Sequence, residues 1–214
     1  LPDLPEPGEG ILAKGTGNLK DLKKIEAKRE ENRQAWLARA PLDWRTGQVV
    51  AFGYSFASGE PEIVVRNGDT DEKALLTLFW AINTMAPPTP FAPDWNREHP
   101  LIGFNIRSFD LWFLRWRSRV CGVKPSRIFN RARFREDLGI IDWAEILADW
   151  DPEKMRGWRL EDYARFYNFK HQPVGQGAEV PAAWSRGDFQ YVADHLRADV
   201  LMCRELHEMF WEGS

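Results

Sequence analysis

One segment near the C-terminus places ionisable residues inside an apolar helix face. It is "YVADHLRADVLMCRELHEMF", residues 191–210. On a helix that turns by about 100° per residue, the following residues fall on one side, as in a helix that packs on a core: Val192, Leu196, Val200, Cys203, Leu206 and Phe210. Asp199 falls within this stripe, and His195 lies at its edge four residues earlier. A buried carboxylate needs a cation, a hydrogen-bond network or a proton. The pattern therefore predicts either a structural Asp–Arg or Asp–His pair, or a metal ligand with a histidine beside it for proton transfer.

A second candidate carboxylate is Asp110, which follows the apolar segment "LIGFN" and lies in the first turn of the predicted helix "SFDLWFLRWRSRVCG", capped by Ser108. An acid in the first turn of a helix also complements the helix dipole, so Asp110 alone could be structural. Two carboxylates on separate elements with a histidine nearby suit metal-assisted phosphodiester hydrolysis. In that chemistry a pair of Mg²⁺ or Mn²⁺ ions, bound by carboxylate oxygens, stabilises the attacking and leaving oxygens.

The positive charge of the chain is concentrated between Phe104 and Arg135. This window holds nine Arg and Lys residues and one acid, although the whole chain has a net charge of −3. Aromatic residues alternate with the charges. Arginine beside aromatic rings can bind a phosphate backbone and stack unpaired bases. The equally acceptable interpretation is a solvated helix face followed by a basic loop.

The remaining elements predict an α/β domain. Residues 48–56 and 62–66 favour an antiparallel hairpin, because a Gly- and Pro-containing turn joins two β-rich segments. Residues 19–40 favour a largely solvated helix, since their apolar stripe is thin. Helix, strand and further helices follow, an order that is typical of three layers. No apolar segment approaches the roughly 20 residues of a membrane span, and the cysteines form no CxxC pair. We therefore expect a reduced, cytoplasmic protein with no membrane partner.

Two segments resemble motifs of a known family. "GFNIRSFDLWFL" resembles the second motif, and "HLRADV" the third motif, of the DEDD-type 3′–5′ exonucleases of the ribonuclease H-like superfamily. The chain looks closest to the predicted bacterial and phage exonucleases related to the exonuclease domain of family B DNA polymerases. The His-x-x-x-Asp spacing is that of the tyrosine subclass, with histidine in place of tyrosine.

The resemblance implies a fold, a set of site residues and a partner. The fold would be a three-layer α/β/α ribonuclease H-like domain with a mixed central sheet and an N-terminal helical insertion. Asp110 and Asp199 would bind two Mg²⁺ or Mn²⁺ ions, and His195 would act with them in catalysis. We expect the substrate to be single-stranded DNA or DNA 3′ ends, with a polymerase or other replication protein as a further possible partner. Residues that would contact the nucleic acid are Asn105, Arg107, Arg115, Arg117, Arg131 and Arg133.

One motif of the family is absent. An Asp-x-Glu on a first strand should precede the hairpin, but Asp3 and Glu6 have the wrong spacing and Asp151–Glu153 comes late in the chain. We expect a single domain over residues 1–214, with a Pro-rich segment and helical insertion in 1–45, a core in 46–214 and the first strand missing. The sequence leaves three functions open. They are a metal-dependent 3′–5′ exonuclease, a non-catalytic nucleic-acid-binding module of the same fold that lacks the first motif, and a scaffold domain with a structural Asp–His pair.

Overall fold

A computed structural model describes residues 6–56, 59–66, 71–82, 101–125, 140–149, 151 and 157–212. The chain divides into two compact units, Leu1–Gln48 and Val49–Ser214. In the part of the chain that is described, the elements are helices and short strands, so the protein is of the mixed α/β class.

The first unit consists of helices α1 (Glu9–Leu12) and α2 (Leu22–Arg39) and a 3₁₀ turn (Ala40–Leu42). Helix α2 begins at Asp21, whose carboxylate accepts a hydrogen bond from the Lys23 N–H, as an N-cap residue does. No residue of α2 is buried, which confirms the prediction of a solvated helix. Paired Arg–Glu contacts on the surface connect α2 to the segment before it: Arg29 with Glu9 and Arg33 with Glu6.

The second unit begins with the expected hairpin. Strands β1 (Ala51–Tyr54) and β2 (Glu62–Val65) pair in antiparallel register, with Phe52 opposite Val64. Gly53 allows close packing on this hairpin, because a Cβ there would lie 2.8 Å from Ile63 Cδ1 and 3.2 Å from Val200 Cγ2. The hairpin is therefore tightly covered on the face that carries Gly53.

A second pair of strands is parallel and lies in a separate sheet. Strand β3 (Leu101–Gly103) pairs with β4 (Ile140–Asp142), and Gly103 is opposite Asp142. Because both strands run in the same direction, the residues that follow them meet at one edge of the sheet. This edge carries the candidate site.

Two helices flank the strands in sequence, and buried polar contacts join them. Helix α3 (Glu72–Ile82) precedes β3, and helix α4 (Leu111–Val120) follows it. The Trp80 indole N–H donates to the Ser118 hydroxyl at 2.8 Å. Glu72 and Arg117 form a buried ion pair, with Nε to Oε1 at 2.8 Å.

The last helices form the core around the end of the chain. They are α5 (Trp143–Leu147), α6 (Leu160–Phe166), α7 (Val180–Ser185) and α8 (Phe189–His207). The buried face of α8 is rotated from the predicted stripe, since Leu196, Val200, Cys203 and Phe210 are only partly buried while His195, Ala198 and Met202 are buried with Val192 and Leu206. Met202 and Leu206 are inaccessible to solvent. These residues pack with Trp143 and Phe169 in one hydrophobic cluster.

Helix α8 contacts both sheets. It packs against β1 and β2 of the hairpin, against β3 of the parallel pair, and against α6 and α7. The two sheets are not hydrogen-bonded to each other among the described residues. One helix thus connects two separate pairs of strands. None of the described helices combines the length and the apolar character that a membrane span needs.

Candidate active site

The loop after β3 is held by a buried carboxylate at the end of β4. Asp142 Oδ1 accepts the Asn105 N–H at 2.7 Å, and Oδ2 accepts the Arg107 N–H at 2.9 Å. Oδ1 also accepts the Ala144 N–H at 3.1 Å, which makes Asp142 the N-cap of α5. Asn105 adopts a left-handed conformation with φ of 59°, which asparagine tolerates better than most residues. Burial raises the pKa of Asp142, although the three N–H groups and the Arg107 charge oppose that rise.

This loop leads through a π-helical turn (Ile106–Asp110) into α4, so Asp110 occupies the junction between turn and helix. The sequence predicted a helix that begins at Ser108, whereas the helical backbone begins at Ile106. Asp110 is exposed to solvent, although protein atoms surround part of its carboxyl group. This desolvation, with smaller contributions from the charges of Asp142 and Asp199, raises the pKa of Asp110 to about 7.

Asp199 lies on α8, and its side chain is 38% exposed. Its position in the apolar stripe is therefore only partly buried. Desolvation raises its pKa to about 6, with a smaller rise from the charge of Glu161 and an opposing effect from His195. The charge of Asp199 also contributes to the raised pKa of Asp110, although the two residues come from different elements.

His195 is buried beside Asp199 with a defined orientation. Its Nδ1 lies 2.7 Å from the Val174 carbonyl oxygen, and its ring is parallel to that of Tyr191. A carbonyl oxygen can only accept, so Nδ1 carries a proton and, in the neutral ring, Nε2 carries the lone pair. Nε2 lies 3.5 Å from Asp199 Oδ2. The histidine can therefore accept a proton on the side that faces the carboxylate.

A cysteine also lies on this part of α8. The Cys203 thiol, one turn after Asp199, has a pKa raised to about 12 by burial and by the charges of Asp142 and Asp199. We refer to Asp110, Asp142 and Asp199 as the carboxylate cluster. It lies where the parallel strands end and where α8 passes them.

The carboxylate oxygens of this cluster differ in how freely they could bind a metal ion. Asp142 directs both of its oxygens at backbone N–H groups, whereas Asp110 and Asp199 are reachable from solvent. In the described part of the chain, no three His, Cys, Asp or Glu side chains lie close enough together to hold a metal ion. Carboxylate oxygens are suitable ligands for Mg²⁺ or Mn²⁺, and two carboxylates suit one hydrated ion. The two ions that the sequence predicted would need further anionic oxygens beyond those of Asp110 and Asp199.

The residues that the sequence assigned to nucleic-acid binding have different positions. Asn105 is exposed and Arg115 is half-buried on α4. Arg107 is engaged within the protein, where it donates to the Ile140 carbonyl oxygen and lies 3.4 Å from Glu145. Arg117 is buried against Glu72, so a phosphate could reach it only by displacing that carboxylate. The structure does not support a surface role for Arg107 and Arg117, and Arg131 and Arg133 lie outside the described residues.

Two acidic residues of the site were missed by the sequence analysis. Asp142 follows the apolar segment "GII" and precedes a helix. Asn105 likewise follows an apolar segment, "LIGF", which contains β3. This similarity between two short apolar segments, each followed by a polar residue, is the sequence signal that could have identified Asp142. Glu161 lies on α6 and reaches the site only through the packing of α6 against α8. No local pattern in the sequence indicates this contact.

No protein-family model, no curated protein and no solved structure matches the chain at a significant level. The function must therefore be argued from the residues of the site.

Proposed function

We propose that this chain is a ribonuclease H-like domain that hydrolyses phosphodiester bonds at the 3′ ends of single-stranded DNA with a divalent metal ion. The observation that carries the proposal is the His195–Asp199 pair on α8, with Nε2 and Oδ2 3.5 Å apart, together with the effect of the Asp199 charge on Asp110. The two carboxyl groups come from different elements, both are reachable by water, and His195 lies beside one of them. Resemblance of the segments around Asp110 and Asp199 to two exonuclease motifs supplies the reaction class.

The arrangement of the strands supports the same proposal. The hairpin β1–β2 and the parallel pair β3–β4 are separate, yet α8 packs against both. One further strand between the two described pairs would join them into a single mixed sheet covered by α8. A mixed central sheet of this kind is what the resemblance implies for the fold.

Each residue of the site has a role that follows from its surroundings. Asp110 and Asp199 would hold the divalent ion, and the ion, when bound, would supply positive charge to the oxygens of the scissile phosphate. His195 would accept a proton at Nε2 from the attacking water, because its Nδ1 proton is fixed on the Val174 carbonyl. Asp142 would not contact the substrate, but would position the loop that leads to Asp110.

A trimming assay tests this function. A 5′-labelled single strand incubated with the protein and Mn²⁺ should shorten stepwise from its 3′ end, and a strand with a blocked 3′ end should not. Asp110→Asn and Asp199→Asn should abolish trimming, whereas Asp194→Asn on the same helix should not. His195→Ala should lose most activity, and His195→Tyr should retain part of it. Wild-type protein that leaves the strand intact at all Mn²⁺ concentrations would exclude the nuclease.

A second candidate function is a non-catalytic module that binds single-stranded DNA. The observation that favours it is the small number of available ligands, since only Asp110 and Asp199 of the described cluster have oxygens that are not used by backbone N–H groups. With one weakly held ion, hydrolysis would be slow or absent while strand binding persisted. Binding without trimming, unchanged by Asp199→Asn, would establish this second function.

A further inference from the structure

Helix α6 and the residues beside it carry a group of aromatic rings at the surface, which we call the ring platform: Trp158, Tyr163, Phe166 and Tyr167. Phe166 is 67% exposed, Trp158 44% and Tyr167 39%. Their centroids lie close together, at 5.2 Å from Trp158 to Phe166 and 4.9 Å from Phe166 to Tyr167. Adjacent exposed rings of this size are unusual on a protein that has no partner for them.

The ring platform is continuous with the candidate active site. The ring of Tyr163 contacts that of Phe104 at 5.8 Å between centroids, and Phe104 directly precedes Asn105 in the loop that leads to Asp110. On the same helix, Glu161 is close enough to Asp199 for its charge to act on that carboxyl group. Phe166 follows Glu161 by five residues, which is about 7.5 Å along a helix. Five residues also turn by about 140° around the helix, so Phe166 faces away from Glu161, and the contact between Tyr163 and Phe104 is what joins the rings to the candidate site.

From Trp158 to Lys170 the chain carries three cations and two acids, a small positive excess that fits an anionic partner. Arg159, Arg165 and Lys170 are exposed and alternate with the rings along the chain. Of the acids on α6, Asp162 accepts the Arg159 N–H at 2.9 Å and lies 3.7 Å from Arg165, so part of its charge is compensated locally. Cations beside exposed rings can hold a phosphate backbone while bases stack on the rings. A purely apolar protein partner would need no such cations.

We propose that the ring platform stacks the unpaired bases of a single DNA strand whose 3′ end lies at the carboxylate cluster. The identity of the strand rests on the proposed function, whereas the stacking surface rests on the exposed rings and the cations beside them. Phe166 is the central contact, because it is the most exposed ring and touches both Trp158 and Tyr167. Arg165 holds the backbone beside it.

A comparison of two probes tests the platform. Anisotropy is measured in EDTA, so that no strand is cut, with fluorescein-labelled oligo(dT) of about 12 nucleotides and with an abasic strand of equal length. Wild-type protein should bind oligo(dT) more tightly than the abasic strand. Phe166→Ala should weaken binding of oligo(dT) by about fivefold or more, and should change binding of the abasic strand by less than about twofold. Arg165→Ala should weaken both strands alike and lower the salt dependence, because it removes a phosphate contact.

Phe56→Ala is the matched control. Phe56 is 66% exposed and contacts one neighbouring ring, Tyr54, edge to face at 5.3 Å. It lies at the end of the hairpin and is not part of the platform, so this variant should leave both affinities unchanged. Circular dichroism melting of the two variants should match wild type, since each substitution removes an exposed ring.

The outcomes separate this inference from the proposed function. The platform is overturned if wild-type protein does not bind oligo(dT), if it binds both strands equally, or if Phe166→Ala has no selective effect. Binding to anionic lipid vesicles that Phe166→Ala removes, without binding to oligo(dT), would assign the rings to a membrane surface instead. Selective stacking without Mn²⁺-dependent trimming would reject the nuclease alone, and trimming with no effect of Phe166→Ala would reject the platform alone.

Discussion

At the scale of single residues, the candidate site contains two carboxyl groups whose pKa is raised above the ordinary value of aspartic acid. The pKa of Asp110 is raised to about 7 and that of Asp199 to about 6, in both cases mainly by desolvation. Between the unfolded and the folded pKa, such a group binds more protons in the folded state. The free energy of unfolding therefore falls as the pH rises through that window, from about 4 to about 7.

This fall in the free energy of unfolding with rising pH leads to a prediction for Asp199→Asn. The neutral side chain removes the cost of the partly buried charge, so the variant should be more stable than wild type at pH 8 in EDTA and should differ little at pH 4. Because Asp199 is partly exposed, we expect a gain of only about 1 kcal/mol after solvent screening. Thermal melting in EDTA at both pH values measures it, with Asp194→Asn as the control. A loss of several degrees at pH 8 would instead indicate a structural ion pair with His195.

Asp142 gives a second prediction at this scale. An asparagine there can accept with only one oxygen, so one or more of the three backbone N–H groups would lose a buried partner. Asp142→Asn should lower the free energy of unfolding by about 1–3 kcal/mol. Asp188, which caps α8 with a single hydrogen bond to the Tyr191 N–H, is the matched control. Asp188→Asn should cost much less, because asparagine caps helices well. Equal losses in urea denaturation would show that Asp142 is an ordinary cap.

At the scale of elements, helix α4 separates two kinds of arginine. Arg117 faces inward, where Glu72 accepts from its guanidinium and from the Val49 N–H. Arg115, two residues earlier on the same helix, is half-buried, so part of its side chain is accessible to solvent. In the sequence, both arginines stand in the same alternating segment "LRWRSR", so the local pattern does not tell them apart. Only the packing of α3 against α4 distinguishes them.

Arg117→Ala should therefore destabilise the protein by about 3–5 kcal/mol, because it leaves the Glu72 carboxylate buried without its cation. Arg115→Ala should change stability by less than about 0.5 kcal/mol. If Arg115 contacts a phosphate, its removal should flatten the log–log salt dependence of strand binding by roughly 0.7. Urea denaturation and anisotropy against salt measure the two effects. A small stability loss for Arg117→Ala would contradict the buried ion pair.

The same elements show what the sequence could predict. The hairpin and the solvated helix α2 follow from local patterns and are present, whereas the buried face of α8 is rotated from the predicted stripe. Asp199 was found because it interrupts that stripe. The role of Asp142 depends on the register of two three-residue strands, and the role of Arg117 depends on Glu72, 45 residues away in sequence. Neither long-range relation leaves a periodic signal in the chain.

At the scale of the whole molecule, a divalent ion should act as a stabilising ligand. Mn²⁺ at pH 8 should raise the melting temperature of wild type, because it binds the folded state and relieves repulsion between Asp110 and Asp199. The rise should largely disappear at pH 5, where both carboxyl groups are mostly protonated. Calorimetry should give about one ion per chain, in line with two carboxylates as ligands. Two tightly bound ions would show that residues outside the described cluster contribute.

Helix α8 follows the four described strands in the sequence and packs against both pairs. During synthesis on a ribosome, the strands emerge before the helix that packs against both described pairs. In that interval exposed strand edges can pair with other chains, which is a common origin of aggregation during expression. Folding of the second unit should therefore be completed late, and yields of recombinant protein should depend on chaperones and on the rate of translation.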